Sequence, residues 1–213
     1  MQSKKKLFTL INELRVSKVS KIVKQRLKEF EAFKNKSTAE WFSELCFCIL
    51  TANSKAETAL KIQSELGSEK FITYSQEKLS NCIRRNKHRF HNNKSKFIVE
   101  ARKYSNSIKK IIYSFDAEKD AREWLVKNVK GIGYKEASHF LRNTGSKNVA
   151  ILDRHILNLM IENGFLLEKP KTLNKKKYLE IELIFEKIAK KSEMPPAELD
   201  LFMWYLKTGK VLK

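Results

Sequence analysis

Apolar residues recur at helical spacing from the start of the chain. Leu7, Leu10, Ile11 and Leu14 form one stripe, and Val19, Ile22, Val23, Leu27 and Phe30 form another, with lysine and glutamate between them. These predict two amphipathic helices, or one broken near Ser17. "KNKSTAEW" resets the chain, with Ser37 or Thr38 as N-cap and Glu40 early in the next helix. "WFSELCFCILTA" is apolar on nearly every side, the pattern of a helix buried in the middle of a domain. It ends at "TANSKAE", where Asn53 and Ser54 read as a turn. Helical runs follow near residues 55–66, 75–86 and 94–113, with "GSEKFITYS" and "NKHRFHNN" as the loops between them. "DAEKDAREWLVKNV" is a further helix, with Trp124, Leu125 and Val129 on its apolar side. Beyond "NVKGIGYKEASHFL" come a loop, the apolar run "VAIL", and a helix capped by Asp153. "NKKKYLEIELIFEKIAKK" carries Ile181, Ile184, Phe185 and Ile188 as its stripe, and Pro195 and Pro196 open the last helix. No strand alternation of useful length occurs. The pattern is all-α, with roughly ten helices.

Composition agrees with long helices: only six glycines and three prolines punctuate 213 residues. Charge adds a partner. Lys plus Arg is 44 against 24 for Asp plus Glu, a formal net charge of +20. The lysines run along the whole chain, so the basic surface is a folded one rather than a tail, and it suits a polyanion. Solubility alone is the plainer explanation. The three cysteines, Cys46, Cys48 and Cys82, cannot make a complete disulfide set and lack metal-site spacing. Cys82, His88 and His91 lie near one another in sequence but no fourth ligand is evident. Buried, reduced thiols are expected. "MQSKKKLFTLINEL" is not a signal peptide, and no segment has the length of a membrane span, so a cytoplasmic protein is expected.

Against that background "NVKGIGYKEASHFL" acquires chemistry. Gly131 and Gly133 between two helices permit a sharp turn with positive φ. They also leave the backbone bare, so that a phosphate can approach the N–H groups opening the second helix. A plain hairpin turn is the alternative. Lys135 stands in the first turn of that helix, where the dipole disfavours a cation and favours the neutral amine that attacks carbon. A phosphate-contacting lysine is the alternative. Asp153 has an ordinary role as N-cap; a carboxylate beside a nucleophilic amine would instead stabilise developing positive charge or shuttle protons. In the last helix, Leu199, Phe202, Met203 and Leu206 form one stripe. Trp204 points about 150° from its centre. That leaves Trp204 available for stacking, unless the helix is buried all round, as the off-stripe Leu201 would suggest.

"VKGIGYKEA" resembles the helix–hairpin–helix of the DNA glycosylase superfamily. "ELCFCILTAN", "HRF", "GIGYKEASHFLRN", "DRHIL", "PKTL" and "ELDLFMWYLKTGKVLK" extend the resemblance over essentially the whole chain, to the type-2 8-oxoguanine DNA glycosylase/AP lyases. The resemblance implies a two-domain helix–hairpin–helix glycosylase fold with the active site in the interdomain cleft. One domain would comprise 1–38 and 149–213, the other 39–148. It implies a monomer that acts on double-stranded DNA containing 8-oxoguanine and flips the damaged nucleotide out of the stack. Lys135 would attack C1′, expel the oxidised guanine and form a Schiff base leading to β-elimination, with Asp153 stabilising the sugar cation. Phe90 and Trp204 would hold the base, and the carboxylate of Lys213 would accept the N7–H that marks 8-oxoguanine. Asn53 would enter the gap in the DNA, and Gly131 and Gly133 would contact it. The resemblance implies no cofactor except a monovalent cation at the carbonyls of Lys127, Val129 and Ile132. A four-cysteine iron–sulfur cluster is excluded, since no cysteine follows Cys82. A glycosylase for another oxidised base, or a non-catalytic DNA-binding module, would share the hairpin and stay open as alternatives.

Overall fold

The computed structural model describes residues 2–213. The fold is all-α: twelve α-helices and two 3-10 turns are found among the described residues, and no strand. The helices group into two compact units. One runs from the N-terminus to Ala32 and resumes at Gly145–Lys213; the other is Phe33–Thr144. The boundaries expected from the sequence, 38/39 and 148/149, fall a few residues later, and Met1 lies outside the described residues. Local bonds explain the shift. The Trp41 indole N–H donates to the Phe33 carbonyl at 3.1 Å, tying Phe33 to the helix that follows. Ala197 N–H donates to the Lys147 carbonyl at 3.0 Å, and a Cβ at Gly145 would lie 3.3 Å from the Phe30 carbonyl.

The 33–144 unit is built around α3 (Thr38–Thr51), in which every residue from Trp41 to Thr51 is buried. Its start is a capping box. Ser37 N–H donates to Glu40 Oε2 at 2.8 Å, and Glu40 N–H returns a bond to Ser37 Oγ at 3.3 Å. Receiving the Ser37 backbone N–H is the main reason the Glu40 carboxyl sits below its ordinary value. Packed on α3 are α4 (Ala56–Thr73), α6 (His91–Ala101), α7 (Ile108–Tyr113) and α9 (Tyr134–Asn143). α5 (Gln76–Arg85) packs on α6, and α8 (Glu118–Asn128) packs on α9. Buried Glu44 pins three of these helices together: it accepts from Asn143 on α9 at 2.7 Å and from Gln63 on α4 at 3.2 Å. A buried carboxylate is tolerated because both of its oxygens are bonded.

Two loop assignments are corrected here. "GSEKFITYS" continues α4: Gly67 alone leaves helical geometry (φ 60°, ψ −168°), and the chain resumes helix because buried Phe71 anchors the next turn. The single run 94–113 is two helices, starting earlier at His91 and interrupted by the 3-10 turn Arg102–Tyr104. There the Arg102 guanidinium reaches back to the carbonyls of Phe71 and Tyr74.

In the other unit, α12 (Pro196–Thr208) packs against α1 (Gln2–Arg15), α2 (Lys18–Ala32), α10 (Arg154–Glu162) and α11 (Lys175–Lys191). α1 and α2 separate at Ser17, whose Oγ accepts the Val19 N–H at 3.1 Å. The apolar run Val149–Leu152 is buried without being helical, so its backbone needs partners. Tyr178 supplies two through its hydroxyl, donating to Ala150 O at 2.6 Å and accepting from Leu152 N at 3.5 Å; Glu182 takes Ala150 N–H at 3.3 Å. This segment delivers Asp153 to the start of α10. α12 opens on Pro196 in its first turn and stops at Gly209 (φ 68°), the left-handed cap that favours glycine.

Candidate active site

The hairpin joins α8 to α9. Val129 and Ile132 point inward and are buried, which leaves Lys130, Gly131 and Gly133 on the outer turn. Gly131 has φ +82°, and a Cβ there would lie 2.4 Å from Cδ2 of Phe97. Here the left-handed turn expected from the sequence is present. Gly133 departs from that expectation: its φ of −100° and ψ of −172° are extended, and it serves as the N-cap of α9. With no side-chain oxygen of its own, it depends on Glu136, whose Oε2 accepts the Gly133 N–H at 3.2 Å. A phosphate directed at that N–H must therefore displace a carboxylate.

The other oxygen of Glu136 holds Lys135: Nζ to Oε1 is 2.9 Å. Both side chains are partly buried, at 26% and 12% exposure, so this is not a fully solvated surface pair. A third charge stands close. Lys94 of α6 is buried and donates to the Ile49 carbonyl at 2.7 Å. Burial lowers its proton affinity to about 8; the Glu136 carboxylate opposes that and the Lys135 charge adds to it. One carboxylate thus sits among two lysines at the mouth of the hairpin.

Ile49 and Leu50 lie in the last turn of α3, where carbonyls lack helical partners and the dipole attracts a positive group. His88 uses the second of them: its Nε2 bonds the Leu50 carbonyl at 2.9 Å, and its Nδ1 accepts the Phe90 N–H at 3.2 Å. Those bonds set the tautomer with the proton on Nε2, and burial holds the imidazole below its ordinary value. His88 thereby fixes Phe90, which is half-buried with the Arg89 guanidinium over its ring at 4.6 Å. Asn53 follows the same end of α3, exposed and left-handed at φ 59°. The 33–144 unit thus holds Asn53 and Phe90 at the end of α3. Lys94, bonded to that same end, is close enough to Lys135 for the two charges to repel.

Asp153, Trp204 and Lys213 belong to the other unit. Asp153 caps α10: its Oδ1 accepts the N–H of His155 at 2.8 Å and of Ile156 at 2.9 Å. Its Oδ2 accepts the Trp204 indole N–H at 3.1 Å. The expected one-sided stripe on α12 is corrected, because Leu199 to Met203 are buried all round, Leu201 included. Trp204 is where that burial ends and the helix becomes half-exposed. Val211, Leu212 and Lys213 are half-buried, so the C-terminal residues are packed rather than extended into solvent.

Residues 23–194 match the family model for 8-oxoguanine DNA glycosylase. The chain belongs to that family. An 8-oxoguanine DNA glycosylase/AP lyase of Methanocaldococcus jannaschii is 53% identical over 97% of this chain and 99% of its own length. One from Korarchaeum cryptofilum is 50% identical over 96% and 98%. The crystal structure of the M. jannaschii enzyme in complex with a 15mer DNA containing 8-oxoguanine superposes with a TM-score of 0.94, at 52% identity, covering 97% of this chain and 99% of that one. The Thermotoga maritima 8-oxoguanine DNA glycosylase superposes at 0.92 with 40% identity, covering 99% and 100%.

In this 8-oxoguanine DNA glycosylase family member, three polar residues near the candidate site were not singled out from sequence for it. Glu136 had a signal, since it stands three residues after the N-cap glycine, the spacing of a capping box. In the sequence His88 belongs only to an incomplete set of metal-ligand types, and Lys94 is one lysine among many. Their partners are carbonyls of a helix far away in sequence, which no local pattern announces. Among the described residues no group of His, Cys, Asp and Glu could hold a metal ion, and no helix is long and apolar enough to cross a membrane.

Proposed function

We infer that this chain is a bifunctional DNA repair enzyme that excises 8-oxoguanine and then cleaves the abasic site. The observation that carries the reading is the near-complete match, in sequence and fold, to 8-oxoguanine DNA glycosylase/AP lyases. Its substrate is double-stranded DNA containing 8-oxoguanine, met in the cytoplasm. Lys135 is assigned as the nucleophile. Freed from Glu136 and deprotonated, its Nζ forms a bond to C1′ as the bond from C1′ to the base nitrogen breaks, and the base leaves with a proton. Opening of the sugar gives a Schiff base; loss of a C2′ proton then expels the 3′ phosphate. Asp153 offers negative charge to the sugar cation. Phe90 and Trp204 supply aromatic faces for the flipped base, and the Lys213 carboxylate an acceptor for N7–H. Asn53 enters the gap left in the duplex, and the Gly131–Gly133 turn grips a phosphate.

A monovalent cation would fit the carbonyls of Lys127, Val129 and Ile132. The Val129 carbonyl takes the Ile132 N–H over a long 3.4 Å, leaving much of its negative end unopposed. A cation there would add to the hairpin's attraction for phosphate.

Borohydride trapping on an 8-oxoguanine duplex tests the assignment. The wild type should give a covalent adduct, and Lys135→Gln should give none while still binding DNA. An adduct of undiminished yield from Lys135→Gln would remove Lys135 from the mechanism. Trapping only on an oxidised pyrimidine would change the substrate.

A further inference from the structure

The two oxygens of Asp153 do different things. Oδ1 faces the helix it caps and takes two backbone N–H groups. Oδ2 faces α12 and takes the Trp204 indole N–H at 3.1 Å. Donors from two directions leave the carboxylate no freedom to rotate about its Cβ–Cγ bond. A bond from a neutral donor to a carboxylate is also charge-assisted, which strengthens the hold on Oδ2.

Trp204 is itself held. It sits on the turn that follows the fully buried residues of α12, and its carbonyl accepts the Thr208 hydroxyl at 2.8 Å. The His155 ring meets the indole edge-on, with centroids 6.0 Å apart and planes at 77°. His155 donates its own N–H to Asp153, so the three residues close a ring of contacts between α10 and α12. Stacking on a base uses the faces of an indole and makes no demand on its N–H. That edge already has a partner.

We propose that Trp204 is a positioning residue for Asp153, its indole N–H holding Oδ2 in the orientation from which the carboxylate acts. The inference rests on the role given to Asp153 above. It adds a consequence that base stacking does not have. Once the damaged base is gone, no ring remains to stack on, yet Asp153 must still face the sugar. Trp204 therefore matters to cleavage of an abasic site as well as to base excision.

The test removes the N–H and keeps the ring face. Trp204 is replaced at that one position by β-(3-benzothienyl)alanine, which carries sulfur where indole carries N–H. Single-turnover rates are measured on an 8-oxoguanine duplex and on a duplex with a preformed abasic site. The expected result is a loss of about tenfold on both substrates, the scale of one bond to a charged acceptor. Melting temperature should fall by no more than a few degrees, about what one such bond contributes to the fold, and affinity for undamaged duplex should be unchanged. Trp204→Phe, which also lacks the donor, should lose the abasic-site rate too. A wild-type rate on the abasic site in both variants would overturn the proposal and leave Trp204 as a stacking residue only. Asp153→Asn separates the two levels of the argument. If it keeps both activities, the role of Asp153 is wrong, and the proposal falls with it. If it loses both, the sulfur substitution made in that background should cost nothing further, whereas an undiminished additional loss would mean that Trp204 does not act through Asp153.

Discussion

Replacing either hairpin glycine by alanine separates two properties that the spacing G-x-G confounds. At Gly131, alanine must adopt φ +82°, which costs an L-residue about 1–2 kcal/mol. Its Cβ would also meet Phe97 Cδ2 at 2.4 Å, more than 1 Å inside a comfortable carbon–carbon separation. Phe97 is half-buried, so its ring can swing away at the cost of an off-rotamer side chain, about 0.5–1.5 kcal/mol. The smaller entropy of the unfolded alanine chain returns about 0.4–1 kcal/mol. The balance is a destabilisation of about 2 kcal/mol, or roughly 4–8 °C in melting temperature for a chain of this size. At Gly133 the backbone is extended and open to any residue, and the added Cβ meets only the flexible end of Glu136 at 3.3 Å. Gly133→Ala should shift the melting temperature by less than about 2 °C. Scanning calorimetry of the two variants beside the wild type decides the matter. Equal shifts, or a larger one for Gly133→Ala, would refute the account of the turn.

Two more outcomes follow from the charges around Lys135. Lys94 titrates near 8 when folded against 10.5 when unfolded, so between these values the folded chain holds fewer protons than the unfolded one. Wild-type stability should therefore rise with pH relative to Lys94→Met across about pH 8 to 10.5, by no more than about 3 kcal/mol, and that gain should be absent below pH 8. Parallel urea-denaturation profiles in the two proteins over that window would contradict the buried ammonium. Glu136→Gln keeps an acceptor for the Gly133 N–H but loses the charge that holds Lys135, so the melting temperature should barely move. Reductive methylation of the DNA-free protein, read by peptide mass spectrometry, should then label Lys135 several-fold faster relative to exposed Lys5. Unchanged labelling would mean that the ion pair does not restrain the amine.

The helices were legible where one face is apolar and local signals mark the ends, as at Ser37 before α3 or Pro196 and Gly209 around α12. They were misjudged where burial overrode a breaker. Gly67 looked like an end, and Phe71 beyond it restored the helix. On α12 the stripe was a poor guide because the first half is surrounded, and a helix with neighbours on all sides carries no polar face. Gly131 and Gly133 looked equivalent as letters and differ in backbone, because only one of them lies at the point where the chain reverses.

The sequence by itself determined an all-α basic protein, a hairpin flanked by glycines, a lysine in the first turn after it and an aspartate opening a later helix. Those are local properties, set by helical period, capping and the conformational freedom of glycine within a few residues. Only the tertiary structure decided which neighbours these groups have. Lys94 and His88 reach carbonyls at the end of α3 because α6 packs there. Trp204 reaches Asp153 because α12 packs on α10. A hydrogen bond forms over about 3 Å whatever the separation along the chain, so packing and not pattern selects the partners of each reactive group.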